Sequence, residues 1–148
     1  MGASYLWLKF LHIFLAVVAL GTSAGLGILL EFYGNDPTHG SFVLRVIERL
    51  TALVVLPGYV LMLATGLWMA GLAWPSTAWW IQLALGLWVV GLACLGGSIV
   101  ALREQRRLHT TEGHASARYA RASIVGRASG GAFGLVVFVI LYLMVFKP

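Results

Sequence analysis

Charged side chains are the scarcest feature of this 148-residue sequence. Asp, Glu, Lys and Arg together make up 10% of it, whereas a typical soluble domain has about 25%. So few charges cannot cover the surface of a globular domain in water, and the mean hydropathy of +0.91 is correspondingly high. The composition therefore excludes an ordinary soluble protein and predicts an integral membrane protein.

Cysteines and clustered metal-binding side chains are almost absent. The sole cysteine, Cys94, lies in an apolar run, so no disulfide can form within the chain. Only His12 is a histidine within an apolar run. His39, His109 and His114 lie in polar segments, where the last two are expected to be solvated. The sequence thus lacks the ligand set of a zinc or copper site built from side chains alone. It also lacks a phosphate-binding loop and a dinucleotide fingerprint.

Four apolar stretches are each long enough to cross a bilayer as a helix, which takes about 20 residues. They cover residues 5–30, 50–73, 79–102 and 122–146. The first is longer than the apolar region of a cleaved signal peptide, and no positive charge precedes Lys9. The prediction is an all-α, integral membrane four-helix bundle, with residues 1–148 forming a single transmembrane domain.

Basic residues are distributed unevenly between the segments that join these stretches. Lys9 and Lys147 lie near the ends of the chain, whereas every arginine lies in or next to the first and third connecting segments. Because Lys and Arg mark the cytoplasmic side of a membrane protein, we expect both termini to face outward in a bacterial inner membrane. The net charge of +5 then reflects topology and lipid headgroups, and nucleic acid is not an expected partner.

Small residues at four-residue spacing predict where the helices approach each other. Gly21 and Gly25 lie near the end of the first stretch, and Gly126, Gly130 and Gly134 near the start of the fourth. Since both sets fall on the same side of the membrane, we expect the first and fourth helices to contact each other there. A homodimer face is the alternative.

Local signals mark two helix starts and one helix break. Ser41 is the expected N-cap of a short amphipathic helix that leads into the second span. Ser76 or Thr77 is the expected cap of the third span. Pro57, followed by Gly58, should kink or loosen the second helix.

The histidine in the first span is the main functional signal. An ionisable side chain inside a membrane helix is costly and is by default a functional hypothesis. The imidazole of His12 could bind a haem iron, relay protons, or only form a hydrogen bond to a neighbouring helix. The residues alone leave these three roles open.

Three stretches resemble a superfamily of small bacterial membrane proteins that includes the HemJ-type protoporphyrinogen oxidases and the CopD-like copper-resistance proteins. The first is YLWLKFLHIFLAVVALG, and the next two are RVIERLTALVVLPGYVLMLATGLWM and WWIQLALGLWVVGLACLGGSIVALR. HemJ-type enzymes carry a lysine, needed for the oxidase, at the position of Gln82, which argues against that activity here. A closer resemblance is to an uncharacterised integral membrane family, a domain of unknown function, through KFLH and LPGYVLMLATG.

A first functional hypothesis is a b-type haem protein that carries electrons or performs HemJ-like redox chemistry. His12 would be the metal-binding axial ligand. Gln82 begins the third span on the same side of the membrane and could bond to a haem edge or to the histidine. Met69 is the second-ligand candidate by depth, followed by Met62, and Arg49 could pair with the haem propionates.

The alternative hypothesis is a non-enzymatic accessory or structural membrane subunit, or a small transporter, with no cofactor. In a structural subunit, His12 and Gln82 would join helices by hydrogen bonds. A transporter should show interrupted helices in paired positions, and Pro57 with Gly58 has no counterpart. The expected partners are the lipid bilayer and either further copies of the chain or a larger membrane complex.

Overall fold

The computed structural model describes residues 2–73, 78–113 and 115–147. Within these ranges the protein consists of four long helices and contains no strand. The helices are α1 (Ala3–Tyr33), α2 (Gly40–Ala73), α3 (Trp79–Thr111) and α4 (Ala117–Phe146). Each is long and apolar enough to cross a membrane, which confirms the predicted all-α membrane bundle. The expected caps Ser76 and Thr77, and His114, lie outside the described residues.

The helices are longer than a bilayer requires. They have 30 to 34 residues, or about 45–51 Å at 1.5 Å per residue, against a hydrocarbon core of about 30 Å. We call the end where α1 begins and α4 ends the terminal end. The opposite end, which holds every arginine and every carboxylate of the chain, is the basic end. In α3 the extra length is polar and lies at the basic end.

Helix α3 extends well past its predicted end at residue 102, so the polar segment expected to be a loop is helical as far as Thr111. Its residues are good helix formers, and Gln105 and Leu108 are buried against the neighbouring helices. After Thr111 the N–H groups of Glu112 and Gly113 both donate to the Leu108 carbonyl, at 2.9 and 3.1 Å, and the positive φ of 81° at Gly113 turns the chain away from the helix. Hydropathy alone could not reveal this extension because its buried face is narrow.

The start of α2 differs from the prediction. The helix begins at Gly40, with His39 as its N-cap residue, so Ser41 lies inside the helix and the expected cap is wrong. Asp36 accounts for the difference because its carboxylate accepts the N–H groups of His39 and Thr38 at 2.6 and 2.8 Å. These two hydrogen bonds lower the pKa of Asp36, and the one from His39 has the larger effect.

A π-helical turn, Thr51–Val55, interrupts α2. The N–H of Leu56 donates to the carbonyl of Thr51, one residue further back than in an α-helix. Pro57 follows directly and has no N–H to donate. The expected loosening of the helix is therefore confirmed, although it lies before the proline and leaves α2 continuous. Single π turns are frequent at functional sites.

Helix α2 is the central element of the bundle. Its Tyr59 ring stacks on Trp88 of α3 at 5.3 Å between centroids and meets the edge of Phe133 of α4 at the same separation. The Tyr59 hydroxyl also donates to the Trp88 carbonyl at 3.2 Å, and Nε1–H of Trp88 donates to the Tyr59 carbonyl at 3.3 Å. Helix α1 packs mainly on α2, whereas α3 and α4 pack on each other. A gap therefore separates α1 from most of α4.

Helices α1 and α4 contact each other at the basic end, as predicted, through Arg127 and Glu31, but the predicted glycines do not form this contact. A Cβ atom added at Gly21 or Gly25 would have no neighbour within 4 Å, and Gly126 faces Ala101 of α3 instead of α1. The close approach of α1 is to α2, where a Cβ on Gly58 would come within 2.8 Å of the Ala19 Cβ. Glycines are abundant in all four helices, so their spacing did not identify the correct pair.

Candidate functional site

His12 faces α2 and joins the two helices. Its Nδ1 lies 2.8 Å from the hydroxyl oxygen of Thr65. That hydroxyl has its own acceptors in the carbonyls of Leu61 and Met62, at 3.0 and 3.1 Å. Since the single hydroxyl hydrogen is used there, the oxygen accepts from Nδ1–H. The lone pair of the neutral ring is then on Nε2.

Gly66 makes room for the imidazole. A Cβ at this position would lie 3.1 Å from Cε1 of His12 and 3.9 Å from its Nε2. The ring therefore packs edge-on against the backbone of α2. Sequence reasoning identified the histidine but missed Thr65 and Gly66. The signal was the Ala-Thr-Gly run in the middle of α2, where a polar residue and a small residue interrupt larger apolar ones.

The other predicted site residues are spread over the bundle. Met62 is buried one turn from Thr65 towards the basic end, and Met69 lies one turn beyond it towards the terminal end. Arg49 is exposed and lies sixteen residues before Thr65, or about 24 Å along the helix. That separation exceeds the reach of a porphyrin from its iron to its propionates, so the structure does not bring Arg49 to His12.

Gln82 lies in the first turn of α3, on an exposed face. The neighbouring residues Ile81 and Ala84 are the ones that turn inward, towards Leu143 of α4. The helix that packs on α1 is α2, and the hydrogen-bond partner of His12 there is Thr65.

His12 lies outside two cavities at the ends of the bundle. One is a shallow apolar hollow of about 580 Å³ between the terminal ends of α1 and α2, near Trp7 and Trp68, and the other is a smaller groove near the basic end. His12 lines neither of them. Within the described ranges, no three His, Cys, Asp or Glu side chains come together as a metal site. The contacts described for the ring are those with Thr65 and with the backbone at Gly66.

Ion pairs and polar contacts are concentrated at the basic end. Glu48 of α2 accepts hydrogen bonds from Nε of Arg103 and of Arg106 of α3, at 3.1 and 2.9 Å. Arg127 of α4 pairs with Glu31 of α1 at 3.4 Å. The pair of Arg127 and Glu31 joins α1 to α4 at the basic end, where a contact between these two helices was predicted.

Tyr119 is the centre of a buried polar cluster at the basic end. Its hydroxyl donates to the Gly34 carbonyl and accepts from Nε2 of Gln105 at 3.1 Å. His109 lies against the Tyr119 ring, 5.7 Å between centroids, and 3.3 Å from the Asp36 carbonyl. The expectation that His109 lies in a solvated loop is therefore wrong, because α3 continues through it and buries part of it.

A groove separates α1 from α4 just inside the basic end, and its enclosed part measures about 90 Å³. We call it the α1–α4 groove. Its walls include Gly27 and Leu30 of α1 and Gly126 and Gly130 of α4, and its floor includes Thr51 of α2 and Ser98 of α3. Two buried polar atoms near it, Oε1 of Gln105 and Nε of Arg127, have no hydrogen-bond partner among the described residues.

Four long apolar helices with their charges gathered at one end define an integral membrane helical bundle. The chain belongs to the family described as predicted integral membrane protein (DUF2269), whose model matches residues 6–148. This agrees with the resemblance to an uncharacterised membrane family. No curated protein and no solved structure matches the chain.

Proposed function

We propose that the protein is a structural or accessory membrane subunit in which His12 fastens α1 to the rest of the bundle. The observation that carries this proposal is the 2.8 Å hydrogen bond from His12 to Thr65. Only two side chains of α1, Ala19 and Leu26, are fully buried. A helix with so little buried surface depends more than the others on each specific link to its neighbour.

A histidine suits this role because lipid offers no competing hydrogen bonds. Polar pairs between membrane helices contribute about 0.6 kcal/mol on average and up to about 1.7 kcal/mol. The flat ring reaches Thr65 only because Gly66 has no side chain in its way. The bilayer and a second membrane chain, either another copy or a different protein, are the partners such a subunit would have.

A double-mutant cycle tests the proposed link. We expect His12→Ala and Thr65→Val each to lower the free energy of unfolding by about 1 kcal/mol, and the double variant to lose little more than either alone. The measurement is denaturation in mixed micelles, followed by circular dichroism. Thr51→Val, a buried threonine in the π turn of the same helix, is the control and should not couple to His12→Ala. Additive losses for His12 and Thr65 would contradict the proposal.

A second candidate function is the binding of b-type haem at His12. The hydrogen bond at Nδ1 favours it, because haem and metal ligands use the opposite nitrogen of a histidine oriented in this way. Met69 would be the second ligand by depth. The packing of the ring on Gly66 opposes it, since α1 and α2 would have to separate or a second chain would have to cover the porphyrin.

Absorption spectroscopy distinguishes the two candidates. Protein purified in mild detergent from haem-replete cells should show a Soret band that disappears in His12→Ala if haem is bound. A colourless preparation that still shows coupling between His12 and Thr65 would exclude haem and support the structural role.

We also propose that the basic end faces the cytoplasm of a bacterium and that both chain termini face outward. The arginine distribution supports this orientation. A reporter that is active only outside the inner membrane, fused to the C-terminus, should be active. Activity of a cytoplasmic reporter at the same position would contradict it.

A further inference from the structure

The α1–α4 groove lies at the depth where lipid chains meet lipid headgroups. Residues 128–146 of α4 contain no charged side chain, and these nineteen residues span about 28 Å. That length matches the hydrocarbon core of a bilayer. Arg127 and its partner Glu31 therefore mark the boundary of the hydrocarbon, and the groove begins directly on its apolar side.

Absent side chains keep the groove open towards the surrounding lipid. Gly27 and Gly130 line its two walls, and a Cβ at either position would have no neighbour within 4 Å. Leu26, Leu30 and Phe133 supply apolar surface to the same groove. A flexible hydrocarbon chain suits such a surface, because it buries apolar area without leaving a polar group unsatisfied.

Two polar atoms at the basic end of the groove need a ligand that both accepts and donates hydrogen bonds. Gln105 is fully buried. Its Nε2 donates to Tyr119, whereas its Oε1 has no donor among the described residues. This oxygen lies 3.9 Å from where a Cβ of Gly126 would be, and Gly126 is a residue of the groove wall.

Arg127 supplies the complementary group. Its Nη1 binds Glu31, but its Nε–H has no acceptor in the part of the chain that the structure describes. Arg127 directly follows Gly126 of the groove wall, so its Nε is the donor nearest in sequence to the basic end of the groove, where a phosphate oxygen could accept from it. The basic end as a whole carries eight arginines and five carboxylates, an excess of three positive charges.

We propose that the α1–α4 groove binds one anionic phospholipid of the surrounding leaflet, with its phosphate at Arg127, a headgroup hydroxyl donating to Gln105 and an acyl chain along the groove. Phosphatidylglycerol has this combination of groups. The π turn places Thr51 in the floor of the groove, which agrees with the frequent use of such turns at binding sites. The proposal does not depend on His12, so His12→Ala should retain lipid binding.

Adjacent glycines provide a matched test of the groove. Gly130 lines it, whereas Gly131 does not, and both positions have open space for a side chain. We expect Gly130→Leu to weaken phosphatidylglycerol binding about tenfold, equivalent to losing roughly two buried methylenes of the acyl chain. Gly131→Leu should remain within about twofold of the wild type. The measurement is native mass spectrometry of the full chain released from detergent with added lipid. Equal binding by both variants would overturn the proposal.

Headgroup variants test the polar end of the site. The wild type should prefer phosphatidylglycerol to phosphatidylethanolamine of the same chains, and Arg127→Gln should abolish that preference. Arg121→Gln, at an exposed arginine six residues before Arg127 in the same helix, should retain it. Phosphatidylethanol, which is anionic but lacks a hydroxyl, should bind more weakly than phosphatidylglycerol.

Inorganic phosphate should not compete with the lipid, because it has no acyl chain to fill the groove. Competition by phosphate, or no preference between the lipids, would contradict the proposal.

Discussion

The two ends of the bundle are held together in opposite ways. At the basic end, ion pairs and the Tyr119 cluster tie all four helices to one another. Towards the terminal end, α1 is joined to α2 by apolar contacts and by the hydrogen bond between His12 and Thr65. Water and headgroups surround the first region, so polar side chains there are inexpensive. In the second region a polar pair needs its partner in the neighbouring helix.

This difference separates two kinds of functional feature. The isolated polar group near the terminal end attracts attention in the sequence, yet its geometry fits an interhelical link. The crowded polar region at the basic end looks like an anchoring segment in the sequence, yet it contains two buried atoms, Oε1 of Gln105 and Nε of Arg127, that have no hydrogen-bond partner within the described ranges. Unsatisfied groups inside a well-bonded cluster point to a ligand more strongly than one rare residue does.

The largest effect is expected from removing the centre of the basic-end cluster. Tyr119 is 1% exposed, and Tyr119→Ala removes its ring and leaves Gln105 and the Gly34 carbonyl without partners. We expect a loss of about 3–5 kcal/mol in the free energy of unfolding, measured by denaturation in mixed micelles. Tyr142→Ala, at a half-exposed tyrosine of the same helix, is the control and should lose less than about 1 kcal/mol.

A loss in Tyr119→Ala no larger than in the control would mean that the basic end is not the better-bonded region. Tyr119→Phe refines the comparison because it keeps the ring and removes only the hydroxyl. Its loss should be about 1–3 kcal/mol, the cost of the unsatisfied groups that remain.

A smaller effect is expected where α1 approaches α2 most closely. Alanine at an open glycine in a helix stabilises it by up to about 1 kcal/mol. At Gly58 the new Cβ would lie 2.8 Å from the Cβ of Ala19, so Gly58→Ala should instead destabilise the protein by about 1–3 kcal/mol through overpacking. Gly71→Ala, where nothing lies within 4 Å, is the control in the same helix. A stabilised Gly58→Ala variant would show that α1 moves freely on α2.

The fold class and the four spans could be predicted because a chain in lipid must satisfy its backbone internally, and long apolar runs then have to be helices. The helix contacts could not be predicted in the same way. Apolar residues surround each helix, so the sequence does not fix how the helix is rotated. The Gly21 and Gly126 contact was therefore assigned to the wrong pair, and Thr65 was missed as the partner of His12.

Polar segments outside the hydrocarbon were the other source of error. The continuation of α3 to Thr111 rests on the burial of Gln105 and Leu108, which hydropathy does not report. The start of α2 rests on Asp36, whose carboxylate accepts the N–H groups of Thr38 and His39. The N–H of Val43, which a cap at Ser41 would have needed, donates to the His39 carbonyl instead. Pro57 was a reliable signal of a helix distortion but did not give its form.

The smallest expected effect is a pH dependence confined to the basic end. Hydrogen bonds from the backbone N–H groups of His39 and Thr38 lower the pKa of Asp36 from its ordinary value of 3.8. The folded state thus favours the ionised carboxylate, and this contribution to stability is fully present above pH 3.8. It is lost as the pH falls through the lowered pKa of the folded state. Thermal unfolding in neutral detergent between pH 6 and pH 2 measures the slope, and Asp36→Asn should flatten it while still accepting hydrogen bonds. An unchanged slope in Asp36→Asn would mean that another carboxylate is responsible, and that the turn before α2 is not held by the charge of Asp36.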